Sequence, residues 1–197
     1  MTSDRAGFES MKPEHLQVSG IQSSRITVRS EGRSEARSPG GRPKSTPERT
    51  PRYVLYWMQQ SQRAVGNHAL EYACACANKA GLPLLVCFGL PDSYPDANAR
   101  HYRFMLDGLA ETGRHLSDRG VGFVVRRCGK RPVEGPHTVT VELADAASVV
   151  IVDTGYLLFQ RKWRDELVDR VTCPVIEVES DVVVPVLAVS DKEEYAA

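Results

Sequence analysis

The sequence predicts an α/β protein in which helices cover both faces of a parallel sheet, and three observations support this class. Five short apolar, largely β-branched runs recur from Tyr53 onward, as is typical of strands buried on both faces. Segments with apolar residues at helical spacing lie between these runs, so strands and helices alternate. Polar or glycine-containing loops follow the strands. Residues 52–179 are therefore predicted to form one α/β domain.

Residues 1–51 differ in composition from this domain. They are rich in Ser, Arg, Gly and Pro, and contain nine Lys or Arg against six Asp or Glu. Large apolar side chains are too few to offset the entropy lost on ordering, which predicts a disordered leader. Within it, residues 17–28 have enough apolar character for a transient strand or helix. Two functions of the leader stay open as alternatives: a targeting peptide, or a segment that tethers the protein loosely to a nucleic acid.

The first strand and helix organise the rest of the chain. The strand, residues 53–57, is aromatic and β-branched, and the helix, about residues 65–80, carries small residues along one stripe that allow close approach to a sheet. Gly81 suits the helix C-cap. Ligands meet such folds where a strand ends and a helix begins, so residues 57–67 are the first place to expect function.

The next elements follow the same rhythm. The second strand is predicted at 84–88, the second helix at about 97–119 and the third strand at 123–127. Residues 133–147 are ambiguous, because a Val- and Thr-rich stretch at 138–141 favours an extended chain while the later Leu and Ala residues suit a helix. The alternation of strands and helices along the chain favours a helix for residues 133–147.

The last elements complete a five-stranded parallel, doubly wound (Rossmann-like) sheet. Its fourth strand is predicted at 149–153, a helix at about 159–170 and the fifth strand at 174–178. A central first strand gives the order 3-2-1-4-5, with a crevice between strands one and four. The apolar stretch 182–189 then leads to an acidic end. Since so apolar a segment normally packs on something, residues 180–197 are expected to begin a connection to a further domain.

Composition and motifs exclude several function classes. Lys plus Arg equals Asp plus Glu at 25 each, so net charge gives no case for a nucleic-acid or anionic-membrane partner. Without an apolar span or secretory signal, we expect a soluble intracellular protein, with organelle targeting left open. An odd count of five irregularly spaced cysteines indicates free thiols, with no metal site predicted.

Catalytic and phosphate-binding motifs are missing from the sequence. It contains no GxGxxG after a strand, no GxxxxGK[ST] and no GxSxG, and no nucleophile–base pair can be assembled. No catalytic residue is therefore predicted. Asp153, which ends the fourth strand at the crevice, supports two interpretations equally: a polar ligand contact or a cap for the next helix.

A series of short motifs adds a family resemblance. In order, they are Tyr56-Trp57-Met58-Gln59, Gln62-Arg63-Ala64, Asn67, Tyr102-Arg103-Phe104-Met105-Leu106-Asp107-Gly108-Leu109, Val152-Asp153, Trp163, Val183-Val184-Pro185 and Glu194-Tyr195-Ala196-Ala197. With them, residues 53–197 resemble the N-terminal α/β domain of class II cyclobutane pyrimidine dimer photolyases. Two loops depart from the family pattern, at residues 129–132 and 154–158.

The resemblance implies light-driven repair of pyrimidine dimers in DNA by electron transfer from reduced FAD. In that family, FAD and the lesion pocket belong to a helical C-terminal domain. The α/β domain holds or borders an antenna chromophore, which is an 8-hydroxydeazaflavin or a folate, and buttresses the flavin domain. We therefore expect this chain to be an antenna-binding or scaffold domain that does not repair DNA by itself.

The antenna site is expected in the crevice above strands one, two and four. The candidate residues are Trp57, Met58, Gln59, Arg63, Asn67, Phe88, Leu90 and Asp153. Trp57 and Met58 would form a polarisable wall, while Arg63 and Asn67 would donate to carbonyl oxygens. Two of these residues have an alternative interpretation: Trp57 as a core aromatic, and Arg63 as the partner of a carboxylate in another domain.

Two other functions remain open from the sequence alone. One is a stand-alone nucleotide-binding module of the same α/β architecture, binding ATP or AMP without a P-loop. The other is an interaction module that docks through residues 182–189.

Overall fold

The computed structural model describes residues 18–32, 50–92, 94, 97–128 and 135–189, except for the side chain of residue 187. Its strands are β1 Ile26–Ser30, β2 Tyr53–Trp57, β3 Leu84–Leu90, β4 Gly122–Arg127, β5 Ala147–Asp153 and β6 Val175–Val178. Its helices are α1 His68–Ala80, α2 Ala99–Asp118, α3 His137–Ala144, α4 Leu158–Arg170 and the short α5 Val186–Val189. No helix in these ranges combines the length and apolarity needed to cross a lipid bilayer.

The strands form one sheet in the order β1-β6-β5-β2-β3-β4. The five strands from β2 to β6 pair in parallel, and their order is the predicted 3-2-1-4-5. The doubly wound α/β architecture is therefore confirmed. The helix predicted within 133–147 is also confirmed, as α3.

The prediction of five strands is corrected to six, because residues 18–32 of the expected disordered leader add an edge strand. β1 pairs antiparallel with β6, with Ile26 opposite Val178 and Val28 opposite Ile176. Its residues alternate between partly buried and exposed. Composition missed this strand because its stability comes from backbone pairing and a few apolar side chains. The predictions for residues 1–17 and 33–49 lie outside the described residues.

Helix α1 begins at His68, three residues later than predicted. Gly66 has a positive φ of 62° and Asn67 is extended, so neither continues a helix. The Asn67 side chain instead accepts the N–H of Leu70 at 3.0 Å and caps the helix. At the other end, Gly81 is left-handed with φ 63°, as its predicted C-cap role requires.

The core lies on both faces of the sheet, because successive strand residues point to opposite sides. Tyr56 and Met58 pack on the face covered by α1. Leu55 and Trp57 pack on the opposite face, where Leu167 of α4 also lies. Trp57 pairs with Val152 of β5, so the carboxyl ends of the two central strands meet at one edge.

Candidate functional site

A cavity of about 350 Å³ opens at the carboxyl edge of β2 and β3. The end of β2 and the β2–α1 loop, residues 58–67, form one side, while α2 and α4 form the other. Four of the predicted site residues line it: Trp57, Met58, Gln59 and Phe88. This size falls within the usual range for small-molecule pockets.

Two glycines allow the surrounding elements to close around this cavity. A Cβ on Gly89, near the end of β3, would overlap the backbone of Pro136, so only glycine lets the start of α3 approach the strand. A Cβ on Gly135 would overlap the indole of Trp163. Pro136 and Trp163 both line the cavity, so these contacts set its shape.

An aromatic wall bounds one side of the cavity. The Tyr94 and Phe159 rings meet edge to face with centroids 5.2 Å apart, and Phe159 and Trp163 meet with centroids 5.1 Å apart. Tyr94 and Trp163 face the cavity, as do Phe104 and Met105 of α2. Apolar aromatic walls of this kind suit a flat conjugated ring.

Four glutamines lie in the lining, and three of their amides have partners within the protein. Gln160 Nε2 donates to Gln60 Oε1 at 2.7 Å. Gln62 Nε2 donates to the backbone carbonyl of Gln59 at 3.3 Å. The Gln59 amide nitrogen and oxygen are buried without a partner among the described residues, and the same is true of Trp57 Nε1. These buried atoms are therefore not part of the accessible surface of the cavity.

Asp153 is placed at the predicted edge, but it is fully buried beneath the β2–α1 loop. Its carboxylate accepts the backbone N–H groups of Gln59, Gln60 and Ser61, at 2.8 to 3.2 Å. The Tyr56 hydroxyl donates to it at 3.1 Å. Burial raises the pKa of the Asp153 carboxyl, and the hydrogen bonds from the loop oppose that shift. Asp153 is not in the lining; it fixes the loop that carries Gln59.

Three further predicted residues are also outside the lining. Asn67 caps α1, and its amide donates to the Tyr56 hydroxyl at 3.0 Å and to the Ser61 carbonyl at 2.9 Å. Arg63 pairs with Asp181 of this same chain at 2.6 Å. Leu90 ends β3 next to the cavity without lining it. The polar loop residues thus serve the fold of the loop itself.

The segment after β6 is tied to the rest of the domain by Arg25. This side chain is only 6% exposed and donates to three carbonyls, those of Glu179 at 3.3 Å, Val182 at 2.9 Å and Val183 at 2.7 Å. The Ser180 hydroxyl adds a bond from the N–H of Ala69 at the start of α1. The 3-10 turn Ser23–Arg25, together with β6 and α1, therefore fixes the course of residues 179–183.

Beyond that point, apolar side chains are exposed. Val183 is 94% exposed, and Leu158, the first residue of α4, is 84% exposed. The two segments are joined through the Glu179 carboxylate, which accepts from the Tyr156 hydroxyl at 2.8 Å and from the N–H of Val186. We call this the connection surface; it comprises Tyr156, Leu157, Leu158, Val183, Val184, Val186 and Val189.

Sequence reasoning missed the wall of the cavity that the helices provide. Tyr102, Met105 and Trp163 occupy apolar helix faces, which usually cover a sheet. Here the first half of α2 lies beside the cavity, and Phe104 is 84% exposed. The signal available in the sequence was Phe104, an aromatic residue that lies outside the apolar stripe of α2.

Comparison with known proteins identifies the family. The profile described as DNA photolyase matches residues 54–197. The deoxyribodipyrimidine photo-lyase of Methanothermobacter thermautotrophicus is 47% identical over 145 residues, which are 74% of this chain and 31% of that protein. The Arabidopsis thaliana enzyme of the same name is 34% identical over 146 residues, covering 73% of this chain and 29% of that protein. The chain thus spans less than a third of the length of these relatives.

Among solved structures, a universal stress protein from Archaeoglobus fulgidus in complex with dAMP has a TM-score of 0.45 and 14% identity, covering 64% of this chain and 97% of that one. The profile match covers well over half of the sequence, and it begins in β2, the strand that carries Trp57 to the cavity. The chain therefore belongs to the DNA photolyase family.

Proposed function

We propose that this chain is the antenna-binding α/β domain of a class II photolyase-type protein and that the cavity holds the antenna chromophore. The observation that carries this proposal is the aromatic-walled cavity at the carboxyl edge of β2 and β3. When bound, a deazaflavin or folate antenna would supply light absorption. The residues of this chain would bind its ring, orient it and exclude water.

The cavity fits such a ring in both shape and polarity. Tyr94, Phe104 and Trp163 provide aromatic surface, whereas Trp57 is fully buried at the end of β2. Among the described residues that line it, none is Lys, Arg, Asp or Glu, and the ionisable side chains are those of Tyr94, His101 and Tyr102. This lining supports a neutral ring as occupant, with any charged substituent of the chromophore outside.

The second part of the proposal concerns a partner domain. We propose that the connection surface packs against a helical, FAD-carrying domain and that repair of pyrimidine dimers in DNA depends on that domain. The exposed Val183 and Leu158 support this, because apolar groups exposed together mark interaction surfaces. Arg25 supports it further, since it holds the segment that presents those groups in one course.

Binding of a purified chromophore tests the antenna function. The 197-residue chain is mixed with 8-hydroxy-5-deazariboflavin, and fluorescence polarisation is followed as protein concentration rises. Saturable binding is the expected result, and folic acid in a parallel titration tests the second antenna class. Failure of the folded chain to bind either compound at high micromolar concentrations would contradict the proposal.

A further inference from the structure

We infer that Asp181 couples the connection surface to the cavity, so that a partner domain on the surface and a chromophore in the cavity each favour binding of the other. This inference rests on the proposed function, because it needs an occupant at both sites. Asp181 belongs neither to the cavity lining nor to the connection surface. It is therefore a positioning residue, which acts through the β2–α1 loop.

Asp181 ties the segment that presents the connection surface to that loop. It lies two residues before Val183, the most exposed side chain of the surface. Its Oδ1 accepts the Ser61 hydroxyl at 2.8 Å and the Arg63 guanidinium at 2.6 Å. Arg63 also donates to the backbone carbonyl of Ser180 at 3.3 Å. Two side chains of the loop thus hold the chain at residues 180 and 181.

Ser61 carries this link to the cavity. It lies between Gln60 and Gln62, and both of these residues line the cavity. The Ser61 side chain is fully buried, and its backbone N–H donates to the Asp153 carboxylate at 2.8 Å. Because Ser61 is held by its backbone and by its hydroxyl, a restraint on its neighbours also restrains its bond to Asp181.

The other bonds on the connection segment do not reach the cavity. Arg25 holds the carbonyls of Val182 and Val183, and the Glu179 carboxylate accepts the N–H of Val186. Among the described residues, neither Arg25 nor Glu179 forms a hydrogen bond to the β2–α1 loop. These bonds stabilise the segment, whereas the Asp181 bonds join it to the loop.

Coupling of this kind needs no change of shape. Binding that orders a mobile segment costs conformational entropy, and a second ligand that finds the segment already ordered binds at a smaller cost. A chromophore against Gln60 and Gln62 would order the loop and, through Asp181, residues 182–189. A partner domain on those residues would order the loop in turn. Thermodynamic linkage makes the two effects equal in free energy.

Hydrogen–deuterium exchange with and without bound dye tests this inference on the 197-residue chain. The dye is whichever of 8-hydroxy-5-deazariboflavin and folic acid binds in the polarisation titration, added at a saturating concentration. Exchange is followed in residues 182–189, which do not line the cavity. In wild type, dye binding should slow exchange there about fivefold, the lower end of typical coupling between sites.

Asp181→Ala separates the coupling from binding itself. This variant should still bind the dye, but its exchange in residues 182–189 should be the same with and without dye. Asp107→Asn is the matched control, because it removes an exposed carboxylate whose ion pair, with Arg103, lies within α2. The control should respond to the dye as wild type does. A purely structural role of Asp181 would change the exchange of the free protein but not its response to the dye.

Three results would overturn the inference. Unchanged exchange in residues 182–189 when wild type binds the dye would remove the coupling and leave the antenna proposal intact. Equal slowing in Asp181→Ala and wild type would remove the role of Asp181. Absence of dye binding by folded wild type would overturn both proposals. If thermal unfolding shows that Asp181→Ala is not folded, Ser61→Ala replaces it: less slowing than in wild type is expected, and equal slowing would contradict the inference.

Discussion

The Asp153 carboxylate at the end of β5 accepts the backbone N–H of Ser61, in the β2–α1 loop, at 2.8 Å. The two residues are 92 positions apart in sequence, and this bond helps to hold the Gln59 backbone above the sheet edge. The relationship explains why a buried acid ends a central strand in a fold where ligands bind at that edge. Asp153 acts on the site through the loop and without lining the cavity.

Asp153→Asn should destabilise the fold. Both carboxylate oxygens accept backbone N–H groups, so whichever becomes the amide NH₂ would face another donor. The expected loss is about 2 kcal/mol in the free energy of unfolding, measured by urea denaturation. Asp107→Asn is the matched control, because Asp107 is exposed and its ion pair, with Arg103, lies within α2; its urea midpoint should stay unchanged. Equal midpoints for wild type and Asp153→Asn would contradict this role.

Gly89→Ala should damage both the fold and the cavity. The added methyl group would overlap the Pro136 backbone and push the start of α3 away from β3. A loss of about 2 kcal/mol or more is expected from overpacking, together with weaker binding of the deazaflavin dye. Gly108→Ala is the control: nothing lies within 4 Å of its added Cβ, so alanine should stabilise α2 by about 0.5 to 1 kcal/mol. A neutral Gly89→Ala would show that the contact with Pro136 is not needed.

Arg25→Ala should release the segment after β6. Three carbonyls would lose their donor, and a loss of about 2 kcal/mol is expected. Hydrogen–deuterium exchange should accelerate in residues 179–189 while the amides of β2 and β5 stay protected. Arg103→Ala, whose side chain pairs with Asp107 on the surface, is the control. Uniform acceleration across the sheet would instead indicate global destabilisation, and unchanged exchange in 179–189 would remove the proposed function of Arg25.

His137 should make the protein sensitive to mild acid. Burial lowers the pKa of its imidazole to about 4, with the charge of Arg170 as a smaller cause. The unfolded chain, with a histidine pKa near 6.5, then binds a proton that the folded chain does not. Stability therefore falls as pH drops from about 6.5 to 4, by up to about 3 kcal/mol.

Urea denaturation at several pH values measures this loss. The carboxyl groups of Asp and Glu also titrate in this pH range. The comparison is therefore with His137→Gln, which has no group to protonate at that position. Wild type should lose more stability than this variant between pH 6.5 and pH 4.5. Parallel pH profiles would show that the Glu166 carboxylate, 3.1 Å from Nε2, stabilises the charged imidazole enough to offset burial.

The sequence was sufficient for the parallel sheet and for half of the candidate site. The strand order follows from placing the first strand at the centre of the sheet, and Trp57 and Phe88 follow because parallel strands end at one edge. β1 escaped prediction because a five-residue edge strand depends on backbone pairing with β6, which composition does not report. Arg63 was assigned to the ligand because its partner, Asp181, lies 118 residues away.

The helical wall of the cavity was beyond sequence reasoning for a geometric reason. Periodicity shows which face of α2 is apolar, but it does not show how far the helix extends past the sheet. Leu109 and Leu116 are buried, whereas Phe104, about one and a half helical turns before Leu109, lies at the cavity. The same holds for Trp163, whose position depends on Gly135 in another element.

Tryptophan fluorescence during dye titration tests the central claim most directly, because both tryptophans of the chain, Trp57 and Trp163, line the cavity. A deazaflavin bound there should quench tryptophan emission in a saturable manner, in step with the rise in dye polarisation. Phe substitution at either tryptophan should leave a residual signal that is still quenched. Dye polarisation that rises while tryptophan emission stays unchanged would place the chromophore elsewhere and contradict the assignment of this cavity.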